Sequence, residues 1–160
     1  MKKGLVIGGV AVLFLVGTGC SRLLGSEDEE PTLDLIDVGW VLTSFQQANG
    51  VHKDVGSQGM SLTFLENGRL EGLLYTLADP ESPGIAYFAT YEAGLDGTMS
   101  IAPPAFSEHP GFFPHGSRWF EYHRALSNAT TYEIEQDRLR INYDEGWGLN
   151  FRVNPDGGSD

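Results

Sequence analysis

The sequence is poor in cysteine, in basic residues and in long apolar runs. Its 160 residues include one cysteine, so an intramolecular disulfide and a multi-cysteine zinc or iron–sulfur site are both excluded. Ten lysines and arginines stand against 22 acidic residues, and the formal net charge of -12 argues against a nucleic-acid partner and a basic membrane-binding surface. The longest apolar run, residues 5–16, is shorter than the ~20 residues that a membrane-spanning helix needs.

Catalytic signatures are missing as well. The chain has no Gly-x-Ser-x-Gly nucleophile elbow and no glycine-rich phosphate loop, and its one cysteine lies near the N-terminus. The sequence therefore predicts a protein that is not an enzyme, with no catalytic residues, no bound metal and no cofactor. Its length suits one domain, and 41% hydrophobic residues are enough for a self-sufficient core.

What the sequence does have is an export signal. Two lysines precede the apolar run, and the small residues Gly17-Thr18-Gly19 precede Cys20. We therefore assign residues 1–19 to a signal peptide. The segment resembles a bacterial lipoprotein signal, in which the cysteine is acylated and becomes the mature N-terminus, although Gly17 stands where that family usually has an aliphatic residue. An ordinary secretory signal that is cut at the same bond is the alternative.

The lipoprotein resemblance implies that lipid on Cys20 anchors the protein in the bacterial cell envelope. Two or more acyl chains anchor stably, because each buried methylene contributes about 0.8 kcal/mol. Ser21 follows the cysteine, which implies the periplasmic face of the outer membrane if the host is Gram-negative. Residues 20–36 are interpreted as the acylated cysteine and a flexible acidic tether, and residues 154–160 as a disordered tail.

Between these ends the dominant hydrophobic period is two, which is typical of strands. Trp40 and Leu42, for example, alternate with less apolar neighbours. Turn signals separate the strand-like runs at Asn67-Gly68, Asp96-Gly97, Gln136-Asp137 and Asp144-Glu145-Gly146. The spacing predicts a mainly β fold, an antiparallel barrel or sandwich of seven or eight strands.

One segment, residues 117–129, breaks the strand pattern and predicts a single amphipathic α-helix. Ser117 is the expected N-cap. The residues that we expect on the apolar face of this helix are Trp119, Phe120, His123, Leu126 and Ala129. Core packing explains such aromatic residues better than a cofactor site does, so the helix is expected to close one end or side of the barrel.

Several short pieces follow one another in a recognisable order. They are a strand that opens with Trp40, a hairpin at 62–72, an aromatic helical segment at 120–126, and closing strands at 132–139 and 147–151. This order resembles the META domain, the family of the heat-shock protein HslJ, over residues 37–153. The resemblance implies an exported or lipid-anchored protein linked to envelope stress, and it supplies no catalytic residues. A cysteine that many members carry after the second hairpin strand is absent here.

The long loop at 102–117 is the best candidate site in the sequence. Besides four prolines it carries three aromatic rings and two imidazoles, namely Phe106, His109, Phe112, Phe113 and His115. A stiff aromatic loop at the rim of a barrel either covers a ligand mouth or meets a protein partner. The alternative is that these rings plug the open end of the barrel.

The same loop also carries a set of donors that zinc accepts. Glu108, His109 and His115 offer a carboxylate and two imidazoles, which would leave an open coordination position. The loop between the two histidines fixes no geometry, however, so histidines without a metal are the preferred interpretation.

Three hypotheses about function follow. The first is a non-enzymatic, lipid-anchored envelope protein that binds or supports envelope components in a stress-related role. The second is a carrier of a small apolar ligand, with a barrel cavity under the 102–117 loop. The third and weakest is a metal-dependent hydrolase. The expected partners are the membrane, through the lipid anchor, and either an envelope protein or a small apolar ligand.

Overall fold

Ten strands and one helix lie in residues 35–77, 84–107 and 117–154, which are the residues that the computed structural model describes. The signal peptide, Cys20, residues 21–34 of the tether and residues 155–160 of the tail lie outside them. So do residues 108–116, which include His109, Phe112, Phe113 and His115. The domain boundaries drawn from the sequence therefore stay predictions.

All strand pairs in the described residues are antiparallel. The main sheet has the order β6-β5-β4-β3-β1-β10-β9-β8, with β2 beside β1 and β7 beside β5. This confirms the predicted fold class, and the short strands β2 and β7 raise the strand number to ten. The elements are β1 (Gly39–Gln46), β2 (His52–Asp54), β3 (Gln58–Phe64), β4 (Arg69–Thr76), β5 (Ile85–Ala93), β6 (Met99–Ile101), β7 (Ala105–Phe106), α1 (Arg118–Ser127), β8 (Ala129–Glu135), β9 (Arg138–Tyr143) and β10 (Trp147–Val153).

The sheet curls until its two edge strands meet in a nearly closed barrel. An isolated antiparallel bridge joins Thr98, just before β6, to Thr131 in β8. Beside it, the N–H of Tyr132 donates to the Gly97 carbonyl oxygen at 2.8 Å. This seam, formed by residues 97–98 and 131–132, covers edges that would otherwise expose unpaired backbone groups. The sequence did not distinguish between a barrel and a sandwich. The seam shows that the sheet forms a nearly closed barrel.

The predicted turns form because their residues suit the backbone that the turns need. Gly68 and Gly97 have φ values of 75° and 80°, in the left-handed region that glycine adopts without strain. The side chains before them brace the turns, since Asn67 Oδ1 accepts from the Arg69 N–H and Asp96 Oδ1 accepts from the Thr98 N–H. Hydrogen bonds from the hydroxyl and backbone of Thr98 lower the pKa of Asp96.

A β-bulge in β1 decides which of its side chains face outward. The register of β1 against β10 shifts between Leu42 and Ser44, so the buried positions run Trp40, Leu42 and then Phe45. The sequence predicted the alternation at Trp40 and Leu42 but gave no sign of the bulge. Without that shift Ser44 would face the core, so the bulge is what turns Ser44 and Gln46 toward the outer surface.

The helix begins where the sequence predicts, but its buried face is different. The Ser117 hydroxyl accepts from the Phe120 N–H at 3.2 Å, which confirms the N-cap. The buried helix residues are Tyr122, Ala125 and Leu126, and Trp119 is half-buried against the core, whereas Phe120 is 38% exposed. The expected face was therefore right for Trp119 and Leu126, wrong for Phe120, and it missed Tyr122 and Ala125. Ala129 is buried, but it belongs to β8.

A relay of three hydrogen-bonding groups ties the helix to the sheet inside the core. Tyr87 of β5 donates its hydroxyl proton to the Ser61 carbonyl oxygen at 2.7 Å. The hydroxyls of Tyr87 and Tyr122 are also 2.7 Å apart. Because Tyr87 has only one hydroxyl proton, Tyr122 must be the donor in that pair. Desolvation by burial raises the pKa of both tyrosines well above the usual value, so both stay neutral.

The relay predicts unequal effects for two otherwise similar substitutions. Tyr122→Phe removes a donor and leaves Tyr87 bonded to Ser61, so we expect a loss of about 0.5–1.5 kcal/mol in the free energy of unfolding. Tyr87→Phe leaves the buried Tyr122 hydroxyl without its acceptor, so we expect a larger loss of about 1–3 kcal/mol. Urea unfolding followed by tryptophan fluorescence measures both values.

The matched control is Tyr75→Phe, because the Tyr75 hydroxyl makes no hydrogen bond within the described residues. It should change the free energy of unfolding little. Equal losses for Tyr87→Phe and Tyr122→Phe would contradict the assigned direction of the relay.

Candidate functional site

The structure places one residue of the predicted site loop, Phe106, in a strand. Phe106 belongs to β7 and lies opposite Tyr87 of β5. Its ring stacks on His123 of the helix, with centroids 5.7 Å apart and planes 22° from parallel. His123 Nε2 lies 3.3 Å from the Pro104 carbonyl oxygen, which only accepts, so Nε2 carries the proton. Phe106 therefore takes part in holding β7 against the helix.

The space beneath Phe106 bears on the carrier hypothesis. The depression there is lined by Leu74, Tyr87, Phe106, Trp119 and Tyr122, among others, and it has essentially no free volume. The rest of the loop, residues 108–116, lies outside the described residues. The roles of Phe106, His109, Phe112, Phe113 and His115 as a ligand or partner loop therefore stay a prediction, and so does the apolar carrier.

A different site lies on the outer surface, where outward-facing side chains of β8, β9, β10 and β1 line a groove of about 380 Å³. Its composition follows from strand register, because alternate residues of a strand share one face and paired residues lie side by side. Two rows of side chains cross the sheet, Arg152–Arg138–Glu135 and Asn150–Arg140–Glu133. We call this site the arginine groove, after Arg138, Arg140 and Arg152.

The three arginines of the groove have few partners within the described residues. Arg138 Nε comes no closer than 3.9 Å to the carboxylate of its neighbour Asp137, and both side chains are more than half exposed. Arg140 and Arg152 form no ion pair within the described part of the chain. Glu133, the cross-strand neighbour of Arg140, instead accepts a hydrogen bond from Asn142 at 3.3 Å. The guanidinium groups are thus left available to a ligand.

A hydrogen-bonded cluster forms the opposite wall of the groove. The Asn150 amide Nδ2 lies 3.2 Å from Ser44 Oγ and 3.4 Å from His52 Nδ1. Because the amide nitrogen only donates, Nδ1 of His52 is an acceptor, and it also lies 3.2 Å from Ser44 Oγ. In neutral His52 the proton then sits on Nε2. This wall offers hydroxyl, amide and imidazole groups next to the guanidinium groups.

A second charged cluster lies where the helix meets the barrel. Glu121 accepts from Lys53 Nζ at 3.0 Å and from Arg118 Nη1 at 2.7 Å. Arg118 also lies over the Phe45 ring, 5.8 Å from its centroid. Partial desolvation opposes ionisation of Glu121, but the hydrogen bonds and charges of Arg118 and Lys53 outweigh it, so the pKa of Glu121 lies below its usual value. This cluster ties β2 and the start of the helix together.

Two observations on the described residues concern metal binding and membrane spanning. They contain no group of three or more histidine, cysteine, aspartate or glutamate side chains with the geometry to hold a metal ion. Glu108, His109 and His115 lie outside them, so the metal-dependent hydrolase stays a prediction. Within the same residues, no helix has both the length and the apolar character that crossing a membrane requires.

The sequence analysis did not identify the arginine groove, although part of its outer face is visible in the strand pattern. Glu133 and Glu135 alternate with Ile134, and in the structure both carboxylates are exposed while Ile134 packs against the core. Arg138 and Arg140 likewise alternate with the apolar Leu139 and Ile141, and this pattern indicates that both arginines face outward. Only the pairing of β9 with β10 brings Arg152 opposite Arg138, and hydrophobic period does not fix pairing.

The fold and this groove define the described residues as a small, nearly closed antiparallel barrel with one helix and a charged outer recess. No family model and no curated protein matches the sequence. An NMR structure of a protein from Burkholderia xenovorans is similar, with a TM-score of 0.54, 21% identity, and coverage of 76% of this chain and 84% of that one.

A crystal structure of a DUF4847 family protein from Bacteroides vulgatus is also similar, with a TM-score of 0.53 and 17% identity. The match covers 75% of this chain and 94% of that one. At such identities the two similarities show the fold alone. The resemblance to the META domain therefore stays a prediction.

The Glu121 cluster predicts a pH dependence of stability. A carboxylate whose pKa is lowered by folding stabilises the protein above its usual pKa of 4.5, and this contribution is lost as the pH falls through the folded-state pKa. We expect Glu121→Gln to lower the urea midpoint at pH 7, and the difference from wild type to shrink on acidification below pH 4.5. Urea titrations of both proteins at neutral and acidic pH measure this difference in midpoint.

Glu71→Gln is the control, because the ion pair of Glu71 with Arg69 is about half exposed on both sides and exposed pairs contribute little. A difference for Glu121→Gln that stays constant with pH would show that the carboxylate charge is not what stabilises this cluster.

Proposed function

We propose that this chain is a lipid-anchored protein of the bacterial envelope, whose META/HslJ-like β domain binds or supports other envelope components without catalysis. The lipoprotein-type segment that ends at Cys20 supports the anchor. The acidic segment between Cys20 and the described barrel would give the domain reach from the membrane surface. The role is stress-related if the META resemblance extends to function.

The observation that carries the binding role is the contrast between the interior and the outer surface of the barrel. Large apolar side chains such as Trp40, Phe64 and Phe151 are almost completely buried inside. The recess lined by charged groups is on the outside. A carrier of apolar cargo needs interior room, whereas a surface-binding protein needs an accessible polar recess. The described residues therefore favour binding at the outer surface over carriage inside the barrel.

The anchor is tested by metabolic labelling with an alkyne analogue of palmitate in a bacterial host. We expect the wild-type chain to take up the label and Cys20→Ser to take up none, because the thiol is the only acceptor at that position. Intact-mass measurement of the mature protein should show an N-terminus at Cys20 that carries a diacylglyceryl group.

Ser21→Ala is the matched control and should label like wild type, because it leaves the thiol in place. A wild-type chain without label, or equal labelling of Cys20→Ser, would overturn the anchor and leave the ordinary secretory signal as the explanation.

A further inference from the structure

The arginine groove brings together three arginines that form no close ion pair within the described residues, on a protein that is acidic overall. The chain has a formal net charge of -12. The other described lysine and arginine side chains form ion pairs at 3.3 Å or less: Lys53 and Arg118 with Glu121, Arg69 with Glu71, and Arg124 with Asp144. Arg138, Arg140 and Arg152 are different, because they converge on one recess and have no such partner in the described residues.

Strand register places like charges side by side at one point of the groove. Arg152 lies directly opposite Arg138 in the β9–β10 pair, and like charges in such positions repel. Glu135 and Glu133 lie opposite Arg138 and Arg140 in the β8–β9 pair, but their carboxylates form no ion pair with these arginines. An anion between the guanidinium groups would convert the repulsion into attraction.

Arg140 has one donor that is not satisfied within the described chain. Its Nε has no hydrogen-bond partner there, and because Nε is shielded from solvent, a ligand would have to contact the other nitrogen atoms of the guanidinium group. The side chain crosses over Gly148, where an added Cβ would lie 3.2 Å from Nε, so the glycine leaves room for it. Guanidinium groups bind carboxylate and phosphate oxygens through two parallel N–H donors, which is why arginine dominates such sites.

The rest of the groove limits what else the ligand carries. Ser44, His52 and Asn150 present hydroxyl, imidazole and amide groups on one wall, and Glu133 and Glu135 present acceptors on the other. Hydroxyl groups of a ligand would hydrogen-bond to the remaining donors and acceptors of both walls, whereas an apolar body would remove water from these polar groups and offer no hydrogen bond in its place. A volume of about 380 Å³ is in the range of small-molecule sites.

We propose that the arginine groove binds the oxyanion group, a carboxylate or a phosphate, of a small hydroxylated molecule. The oxyanion lies between Arg138, Arg140 and Arg152, and the hydroxyl groups contact the polar walls. This deepens the binding role proposed above by naming the ligand chemistry, and it rests on that role but not on the lipid anchor.

Isothermal titration of the full chain in non-ionic detergent tests the proposal. The probes are glucuronate for a carboxylate and glucose 6-phosphate for a phosphate, with uncharged glucose as the control at matched ionic strength. We expect saturable binding of at least one anionic probe and none of glucose. Which anion binds decides between the two chemistries. Absence of saturable binding by both anions would overturn the proposal.

The double variant Arg138→Gln/Arg152→Gln should weaken binding at least about tenfold, since two charge-assisted hydrogen-bonding groups are lost. The matched control is Arg69→Gln/Arg124→Gln, which removes the same charge from paired arginines elsewhere and should bind like wild type, because exposed charges at a distance are screened by salt. Equal binding by both double variants would overturn the proposal.

The melting temperature without ligand separates a binding role from a structural one. Removing one of two opposed like charges should leave the melting temperature of Arg152→Gln unchanged or higher, whereas a structural role for Arg152 predicts a lower one. Because the Arg152 side chain is exposed, the single variant Arg152→Gln can replace the double variant in the binding titration if the double variant does not fold. Cys20→Ser should bind the probe like wild type, so failure of the anchor and failure of the groove are distinguishable.

Discussion

The whole barrel depends on one strand, β1, being paired along both of its edges. β3 lies on one side of β1 and β10 on the other, so β1 joins the meander of β3–β6 to the meander of β8–β10. Trp40, at the centre of this junction, is fully buried, and its indole N–H donates to the Leu35 carbonyl oxygen at 3.4 Å. Because β10 is the last strand of the described residues and β1 is the first, segments far apart in sequence must come together before the sheet is complete, and such pairing is slow to form.

The same pairing determines the chemistry of the outer surface. The bulge in β1 turns Ser44 outward, next to Asn150 of β10, and the β9–β10 register then adds the arginines beside them. In this acidic protein the other described basic side chains form close ion pairs, either within one element, as Arg118 does with Glu121, or between elements, as Lys53 does with Glu121. The arginine groove is the exception. Its charges form no ion pair at a comparable distance, and like-charged Arg138 and Arg152 lie opposite each other.

Local chemistry made much of the fold predictable. Asn67-Gly68 and Asp96-Gly97 specify their turns through backbone preference, and Ser117 specifies its cap through one hydroxyl, so neighbouring residues were enough to find them. The buried face of the helix was misjudged because Phe120 and Tyr122 are both apolar enough to face a core, and only tertiary packing chooses between them. The arginine groove was not predictable for a related reason, since residues opposite each other in a sheet are related by register, which no single strand carries in its sequence.

The seam at residues 97–98 and 131–132 is the place where the barrel is held together by the fewest backbone pairings. β8 pairs with β9 from Ala129 to Glu135, but it meets the β6 side of the ring through one isolated bridge, with the Tyr132 N–H bonded to Gly97, and through the Tyr132 hydroxyl bonded to the Gly94 carbonyl oxygen. Opening the barrel at the seam would therefore break fewer backbone pairings than separating any two neighbouring strands of the ring. Glu133 and Glu135 lie on β8, so one wall of the groove belongs to the strand that closes the barrel.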